Sequence, residues 1–234
     1  IVEISPKDSL FTTTKIIAPY LGNKCQMSLD AKGEMFTNDK CSLLKLKPEY
    51  ASLIKAYLSI LNSRLVWFFI SNTSSEFSGG YFVFSNLFLN PLPIPDLSDK
   101  VYAIEEQILT EKADKMLLFN EQIHAKRNRF LRRLSDNFQD FRITGALSTF
   151  DQLTFAEFLK ELKKQKIKLS LSQQDEWEDY FNDYRTACQE LSAQIATTNN
   201  EIDLRVYKLY DLTYDEVLIV DPETAISREE YEMK

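Results

Sequence analysis

The sequence predicts an α+β protein, in which a small mixed or antiparallel β-sheet with packed helices precedes a long antiparallel, coiled-coil-like helical hairpin. Short β-forming runs separated by turn residues fill the first hundred positions, whereas apolar residues recur at helical spacing through most of the rest. Three prolines between positions 91 and 95 separate the two patterns. We therefore expect two domains, at residues 1–97 and 98–234, and 44% hydrophobic content is enough for a substantial core.

The predicted sheet is a meander of four strands at 15–19, 26–30, 34–37 and 41–46. Turn-forming pairs separate these runs: Gly22-Asn23, Lys32-Gly33 and Asn38-Asp39. A helix should begin at Pro48, because proline is tolerated in the first turn. Its apolar side chains share the face expected to pack on the sheet, namely Leu53, Tyr57, Ile60, Leu61, Leu65 and Phe68.

A polar loop at 71–78 follows this helix and leads into an aromatic strand at 81–84. Gly79 and Gly80 permit the turn into that strand. The aromatic residues Tyr81, Phe82 and Phe84 are expected in the core rather than as stacking partners for bases. Pro91, Pro93 and Pro95 then end the domain, because proline cannot donate to a strand ladder.

Two long helices are predicted after the prolines. The first is up to about 40 residues long and is marked by apolar residues at helical spacing between Val101 and Leu134. The second has a seam with alternating spacings of four and three, formed by Trp177, Phe181, Tyr184, Cys188, Leu191, Ile195 and Ile202. Thr154 with Glu157, and Thr213 with Glu216, have the spacing of capping boxes that open shorter helices.

The composition excludes several classes of protein. Three cysteines, an odd number at wide spacing, indicate neither a disulfide framework nor a zinc knuckle, and five glycines leave little material for a phosphate-binding loop. The apolar run at 58–70 is interrupted by polar residues and is shorter than the roughly 20 residues that cross a bilayer. The cysteine usage favours a reducing cytosol, and no secretory signal is recognisable. Because the chain begins at Ile1 rather than Met, we expect a fragment of a longer protein.

Two motifs resemble the TaqI-like C-terminal specificity domain of bacterial restriction-modification methyltransferases. They are the Leu61-Asn62-Ser63-Arg64 turn in an apolar helix, and the stretch from Gly79 through an aromatic strand and a short helix to Pro91-Leu92-Pro93-Ile94-Pro95. The region at 15–39 looks like the strands that precede these motifs in that family. Residues 169–177 and 201–213 are similar to the helical tail of long single-chain restriction-modification enzymes.

The resemblance implies a non-catalytic region that selects a sequence in double-stranded DNA for a bacterial restriction-modification or phage-defence adenine methyltransferase. The fragment itself would need no cofactor. Its parent chain would be an enzyme that uses S-adenosylmethionine, and in fused forms Mg²⁺ for cleavage, in upstream methyltransferase and endonuclease domains. The expected setting is the bacterial cytoplasm, with double-stranded DNA and those upstream domains as partners and no membrane.

The residues themselves give little support for catalysis within the chain. Asn90-Pro91-Leu92-Pro93 lacks the paired prolines and aromatic residue of an amino-methyltransferase motif. Pro95-Asp96 and Glu161-Leu162-Lys163 match the letters of a metal-dependent nuclease motif, but the second part lies in a helical stretch some 65 residues away. The sole histidine, His124, has no accompanying nucleophile motif and is expected on a helix surface.

Polar and basic residues at the predicted turns are the first candidate DNA contacts. Lysine and short polar groups bind phosphates, whereas asparagine and glutamine can read adenine. The candidates beside the meander turns are Lys24, Gln26, Lys32, Asn38 and Lys40, and those of the loop before Gly79 are Asn72, Ser75 and Ser78. The alternative for each is a solvated turn.

A basic patch on the first long helix is the second candidate. Lys126, Arg129 and Arg133 share a helical face. They could lie along a phosphate backbone or pair with the acidic last third of the chain, for example with Glu176, Glu178, Asp179 or Asp183. The net charge is +1 over residues 1–100, +3 over 101–170 and −11 over 171–234, so a DNA surface is expected in the first two thirds.

Two other functions remain open at this point. One is a separate specificity subunit of a multisubunit restriction system, which a second recognition module would favour. The other is a non-catalytic coiled-coil assembly protein, because an apolar seam by itself does not indicate a function.

Overall fold

A four-stranded antiparallel sheet forms the N-terminal part of the computed structural model, which describes residues 2–3, 12–37 and 40–233. Its strand order is β1-β5-β2-β4, in which β1 is Val2–Glu3, β2 Lys15–Pro19, β4 Ser28–Asp30 and β5 Cys41–Leu46. Two further short strands, β3 (Leu21–Gly22) and β6 (Phe82–Val83), pair antiparallel in a ribbon. The predicted α+β class and the bounds of β2 and β5 are confirmed.

The predicted strand at 34–37 is wrong, and the strand predicted at 26–30 is reduced to β4. The N–H groups of Glu34 and Met35 donate to the Asp30 carboxylate over 3.1 and 2.9 Å. Their donors therefore satisfy a buried side chain instead of a strand ladder. The predicted aromatic strand at 81–84 is likewise shortened to β6.

The helix predicted from Pro48 is interrupted. A 3₁₀ turn at Pro48–Leu53 leads into a helix at Ile54–Leu61, and a second helix runs from Arg64 to Thr73. The first two elements together make an angle of 70° with the second helix. No single described helix is long and apolar enough to cross a membrane. The bent pair is long and apolar enough by length and composition alone. However, seven of the eight residues of Ile54–Leu61 are buried in the protein.

Tyrosine hydroxyls fix the proline-rich segment after the short helix Asn86–Leu89. The Tyr57 hydroxyl donates to the Pro95 carbonyl over 3.2 Å and accepts from the Leu97 N–H over the same distance. Tyr210 donates to the Pro93 carbonyl over 2.8 Å. The segment then enters a 3₁₀ turn at Lys100–Tyr102.

The two long helices span Ala103–Asn137 and Leu171–Leu209. They run antiparallel, because successive positions along the first helix contact positions progressively earlier in the second. Glu105 pairs with Arg205, Lys112 with Glu201, and Phe130 packs on Tyr180. The shorter helices are Gly145–Ser148, Phe155–Lys164, Tyr214–Val220 and Arg228–Glu232, with a 3₁₀ turn at Phe150–Gln152. Both predicted capping boxes are present.

The chain divides into two compact units, and the predicted division after residue 97 falls inside the first of them. One unit comprises residues 1–115 and 198–234, and the other comprises 116–197. The second has an aromatic core centred on Phe130, whose ring contacts those of Phe150, Phe158, Trp177, Tyr180, Phe181 and Tyr184. In the first, Tyr207, Val217, Ile226 and Tyr231 form a core cluster of the C-terminal helices.

Candidate nucleic-acid interface

The strand register brings several predicted contacts to one end of the sheet. Pro19 of β2 lies opposite Cys41 of β5, and the Tyr20 N–H donates to the Lys40 carbonyl over 2.9 Å. β3 follows Tyr20 directly, so the segment that carries Lys24 and Gln26 lies at the same end, here called the Tyr20 end. The side chains of Lys24, Gln26 and Lys40 are all exposed.

Lys32 lies at the opposite end of the sheet. Asp30 of β4 pairs with Lys15, the first residue of β2, so the loop after Asp30 is remote from Tyr20 along the strand direction. The Lys32 side chain is exposed in that loop. Asn38 lies outside the described residues. The turn candidates therefore form one group of three, with Lys32 apart from it.

The loop that carries Lys32 is organised by a buried carboxylate. Asp30 is ion-paired with Lys15, and its other oxygen accepts the Gly33 and Glu34 N–H groups over 2.9 and 3.1 Å. Burial opposes the charge of Asp30, but hydrogen bonds from Lys15, Met35 and Glu34 hold its pKa well below the ordinary value. The backbone of this loop is thereby fixed while the Lys32 side chain stays in solvent.

Residues 74–84 form a β-hairpin at the Tyr20 end. Phe84 joins it to Tyr20, since the Phe84 N–H donates to the Tyr20 carbonyl over 2.8 Å. Gly79 and Gly80 form the tip with φ of 62° and 77°, a region that glycine enters without strain. The Trp67 ring lies 5.5 Å from that of Phe82, which anchors the base of the hairpin to the helix Arg64–Thr73.

The three loop candidates occupy different parts of this hairpin and its neighbouring helix. Asn72 is in the last turn of Arg64–Thr73, where its side-chain amide donates to the Phe68 carbonyl over 2.7 Å. Ser75 and Ser78 lie on the hairpin with exposed side chains, and their carbonyls accept the N–H groups of Val83 and Tyr81. The backbone of both serines is therefore held, and their hydroxyls face solvent.

The Asn62-Ser63-Arg64 turn has a structural role. The Met27 N–H donates to the Asn62 side-chain oxygen over 2.7 Å, and the Asn62 amide donates to the Met27 carbonyl over 3.0 Å. Ser63 caps the next helix by accepting from Val66. The Arg64 N–H donates to Asp203 over 2.8 Å, which ties this turn to the second long helix.

Burial raises the pKa of Asp203 to about 7, although the Arg64 N–H and the Arg64 charge oppose the shift. The Asp221 carboxylate adds to the increase. Asp203 thus anchors the turn as a largely buried acid whose charge changes near neutral pH.

The basic patch on the first long helix divides into structural and solvent-facing cations. Arg127 makes a bidentate ion pair with the buried carboxylate of Asp151, with both N···O distances at 2.7 Å. Arg129 and Arg133 are exposed, and Lys126 is half-buried. Within the described residues none of these last three is in salt-bridge distance of a carboxylate, so the pairings considered with Glu176, Glu178, Asp179 and Asp183 do not form.

Two exposed aromatic residues lie at the hairpin tip, and Phe77 was not among the predicted candidates. Phe77 is 70% exposed and Tyr81 44% exposed, whereas Phe84 is buried and Phe82 half-buried as expected of core residues. The expectation that Tyr81 belongs to the core is therefore wrong. The Gly79-Gly80 pair was the available signal, because a tight turn puts its flanking residues at a tip.

The residues considered for metal-dependent chemistry have other partners. Asp96 accepts from Ser98 and Tyr50, and Glu161 pairs with Lys164 in its own helix. In the described ranges, no group of three histidine, cysteine or acidic residues could hold a metal ion. His124 is exposed on the first long helix, as predicted.

A mainly apolar cavity of about 340 Å³ lies between the sheet and the proline-rich segment. Ile16, Leu44, Tyr57, Asn86, Asn90 and Leu92 are among its lining residues. It belongs to the packing between β2, β5 and the helix Ile54–Leu61.

Comparison with known families divides the sequence into two matched regions. Residues 2–94 match the family described as TaqI-like C-terminal specificity domain, which confirms the predicted resemblance of the N-terminal region. Residues 103–206 match a family described as a domain of unknown function (DUF8810). No curated protein and no solved structure matches the chain.

Proposed function

We propose that residues 2–94, which match the TaqI-like C-terminal specificity domain, recognise a sequence in double-stranded DNA for a restriction-modification system. The family match is the observation that carries this proposal. A specificity domain is not itself catalytic, so the proposed role of this region is to bind the DNA on which other domains act.

The Tyr20 end of the sheet is the proposed recognition surface. Lys24 and Lys40 supply cations for phosphates, and Gln26 can donate to and accept from an adenine edge. The hydroxyls of Ser75 and Ser78 add short polar contacts from the hairpin. Because Tyr20 is hydrogen bonded to both Lys40 and Phe84, these groups belong to one fixed backbone unit rather than to separate loops.

Lys126, Arg129 and Arg133 form the proposed second contact, to phosphates alone. The lack of carboxylate partners among the described residues favours this function over the internal pairing that the sequence also allowed. A helix face with three cations follows the charged backbone without reading bases, so it would add affinity for all sequences alike. Lys32 and Asn72 remain proposed contacts outside the Tyr20 group.

The parent protein is proposed to be an adenine methyltransferase, with or without a fused endonuclease. Its S-adenosylmethionine and any Mg²⁺ would be bound by upstream domains, and this region would hold the duplex while a target base is flipped out. Translation of the gene upstream of the Ile1 codon tests this directly. An Asn/Asp-Pro-Pro-Tyr/Phe motif is expected; a second recognition module would instead identify a specificity subunit.

Selection from a pool of random duplexes tests DNA recognition by the 234-residue chain. We expect enrichment of one short sequence, bound with a strong dependence on salt. Gln26→Ala should relax the preference at one position by about 1–3 kcal/mol, whereas Lys24→Ala should weaken all duplexes alike. Lys47→Ala, an exposed lysine that follows β5, is the matched control. Absence of both enrichment and salt-dependent binding would leave the assembly-protein alternative.

A further inference from the structure

We propose that Phe77 and Tyr81 form an aromatic wedge that stacks on nucleobases of the bound duplex. The inference rests on the proposed function and deepens it, because it adds a contact to the faces of the bases to the contacts with their edges. In this role the hairpin tip unstacks a base step next to the recognised sequence.

The hairpin register places the two rings on one face of the tip. The Phe77 N–H donates to the Tyr81 carbonyl over 2.8 Å, and the next pair along the arms, Glu76 and Phe82, forms a β-bridge. Side chains alternate between faces along a strand, so Phe77 and Tyr81 share the face opposite to that of Glu76 and Phe82. The Phe82 face packs on Trp67, and the other face points to solvent.

Both rings have open surfaces. In the part of the chain that the structure describes, neither ring is in an aromatic contact or under a cation, in contrast to Phe82 and Phe84, which both pack on Trp67. The glycine tip also leaves room for a partner, because a side chain added at Gly79 or Gly80 would meet nothing within 4 Å. A planar ligand can therefore approach the tip without displacing protein atoms.

The surroundings favour a nucleic acid over a second protein surface. The exposed neighbours on the hairpin are polar, Ser75 and Ser78, and Lys24 follows the strand that pairs with β6. The two rings offer about 300–500 Å² of buried area, which suits a stacking contact within a larger DNA-binding surface. The carboxylate of Glu76 also reaches the tip, where it accepts from the Gly80 N–H over 3.3 Å and is thus bonded to the backbone.

Insertion of an apolar side chain between base pairs unstacks them and bends the duplex. Each ring that stacks on a base contributes substantially to affinity, since alanine substitution of such aromatic residues weakens binding roughly fivefold or more. With the wedge, recognition depends on how readily a base step unstacks as well as on the hydrogen-bonding groups at the base edges.

The test uses the duplex selected by the 234-residue chain, with 2-aminopurine replacing individual adenines. Wild-type protein is expected to increase 2-aminopurine fluorescence at one step, because that base loses its stacked neighbours. Tyr81→Phe keeps the ring and should retain the increase. Phe77→Ala with Tyr81→Ala should lose the increase and bind at least about 25-fold more weakly, with the same salt dependence. Leu87→Ala removes an equally exposed apolar side chain outside the tip and should resemble wild type.

A double variant that still increases the fluorescence overturns the wedge and leaves DNA recognition intact. Failure of the wild-type chain to bind any duplex overturns both. If the double variant instead converts a sedimenting dimer to a monomer without a fluorescence change, the rings form a contact between copies, and the wedge is wrong.

Discussion

Asp203 connects the second long helix to the Asn62-Ser63-Arg64 turn through a group that titrates near neutral pH. Its pKa in the folded chain is about 7, above the ordinary 3.8, because burial disfavours the charged form. The folded state therefore holds the proton more tightly than the unfolded state does. The stability that the neutral acid contributes is present at low pH and is lost as the pH rises from about 4 to about 7.

Asp203→Asn should remove this pH dependence. An asparagine oxygen can still accept from the Arg64 N–H, and it carries no charge beside Asp221. We expect the variant to gain stability relative to wild type as the pH rises, by on the order of 2–4 kcal/mol at pH 8. Urea unfolding at pH 4, 6 and 8 measures the difference. Glu223→Gln, at an exposed carboxylate, should show no such trend, and a pH-independent difference for Asp203→Asn would contradict the assignment.

Gly33 has a requirement for glycine that differs from that of the other glycines. Its φ is +69°, and an added Cβ would lie 2.5 Å from the Thr12 carbonyl carbon. Gly33→Ala should cost more than about 2 kcal/mol, because strain and collision add. Gly80→Ala has the strain without the collision and should cost about 1 kcal/mol. Gly145→Ala has neither and should be within about 0.5 kcal/mol of wild type. Equal losses at all three positions by urea unfolding would refute this ranking.

Cations within two turns of the first long helix have different roles, one structural and the others in contact with solvent. Arg127 neutralises the buried Asp151 carboxylate, and Arg129 and Arg133 face solvent. Arg127→Met should destabilise the protein by about 3 kcal/mol, since removing one partner leaves a buried charge without compensation. Arg132→Met, at an exposed position of the same helix, should change stability by less than about 0.5 kcal/mol. Thermal unfolding at constant pH compares the two.

Arg129 and Arg133 should contribute to DNA binding rather than to stability. Replacement of both Arg129 and Arg133 by glutamine removes two proposed phosphate contacts and should make the negative slope of log K against log salt shallower by about 2. Stability should stay close to that of wild type, because neither side chain has an ion-pair partner among the described residues. An unchanged slope would exclude the patch from the DNA surface.

Elements with a local cause could be predicted from the sequence. β2, β5 and both capping boxes have their signals within a few adjacent residues, and the seam residues Phe181, Cys188, Leu191 and Ile202 are buried as their spacing indicates. The errors have distant causes. No strand forms at 34–37, because backbone N–H groups there donate to the Asp30 carboxylate. The helix break at Asn62 depends on hydrogen bonds with Met27 and Asp203, which are remote in sequence.

The candidate site shows the same limit. Turn residues could be identified by type, but only the register of β2, β3 and β5 places Lys24, Gln26 and Lys40 at one end and Lys32 at the other. The separation of Arg127 from Arg129 and Arg133 likewise depends on Asp151, a residue 24 positions away. Neither fact could be obtained from helical or strand periodicity.

At the scale of the whole molecule, the family matches and the compact units divide the chain differently. The matched regions are consecutive, at 2–94 and 103–206, whereas the first unit is discontinuous and includes residues 198–234. The reason is that the end of the second long helix and the C-terminal helices pack with the N-terminal part: Asp203 accepts from Arg64, and Tyr210 donates to Pro93. The N-terminal unit should therefore need the C-terminus in order to fold.

Residues 116–197 are a continuous segment with their own core, and we expect them to fold when expressed alone. Phe130, Phe150, Phe158 and Phe181 are fully buried within this unit, and the Arg127–Asp151 pair is internal to it. The excised segment should unfold cooperatively on heating, as followed by circular dichroism, because the residues of its core cluster all lie within the segment. Arg127→Met in the segment should lower its unfolding midpoint, as in the full chain.

Residues 1–115 alone should show no cooperative transition, since they lack the Asp203 and Tyr210 contacts and the core cluster that contains Tyr207. Cooperative unfolding of 1–115 would contradict the discontinuous unit, and a non-cooperative 116–197 segment would show that the aromatic core requires the rest of the chain.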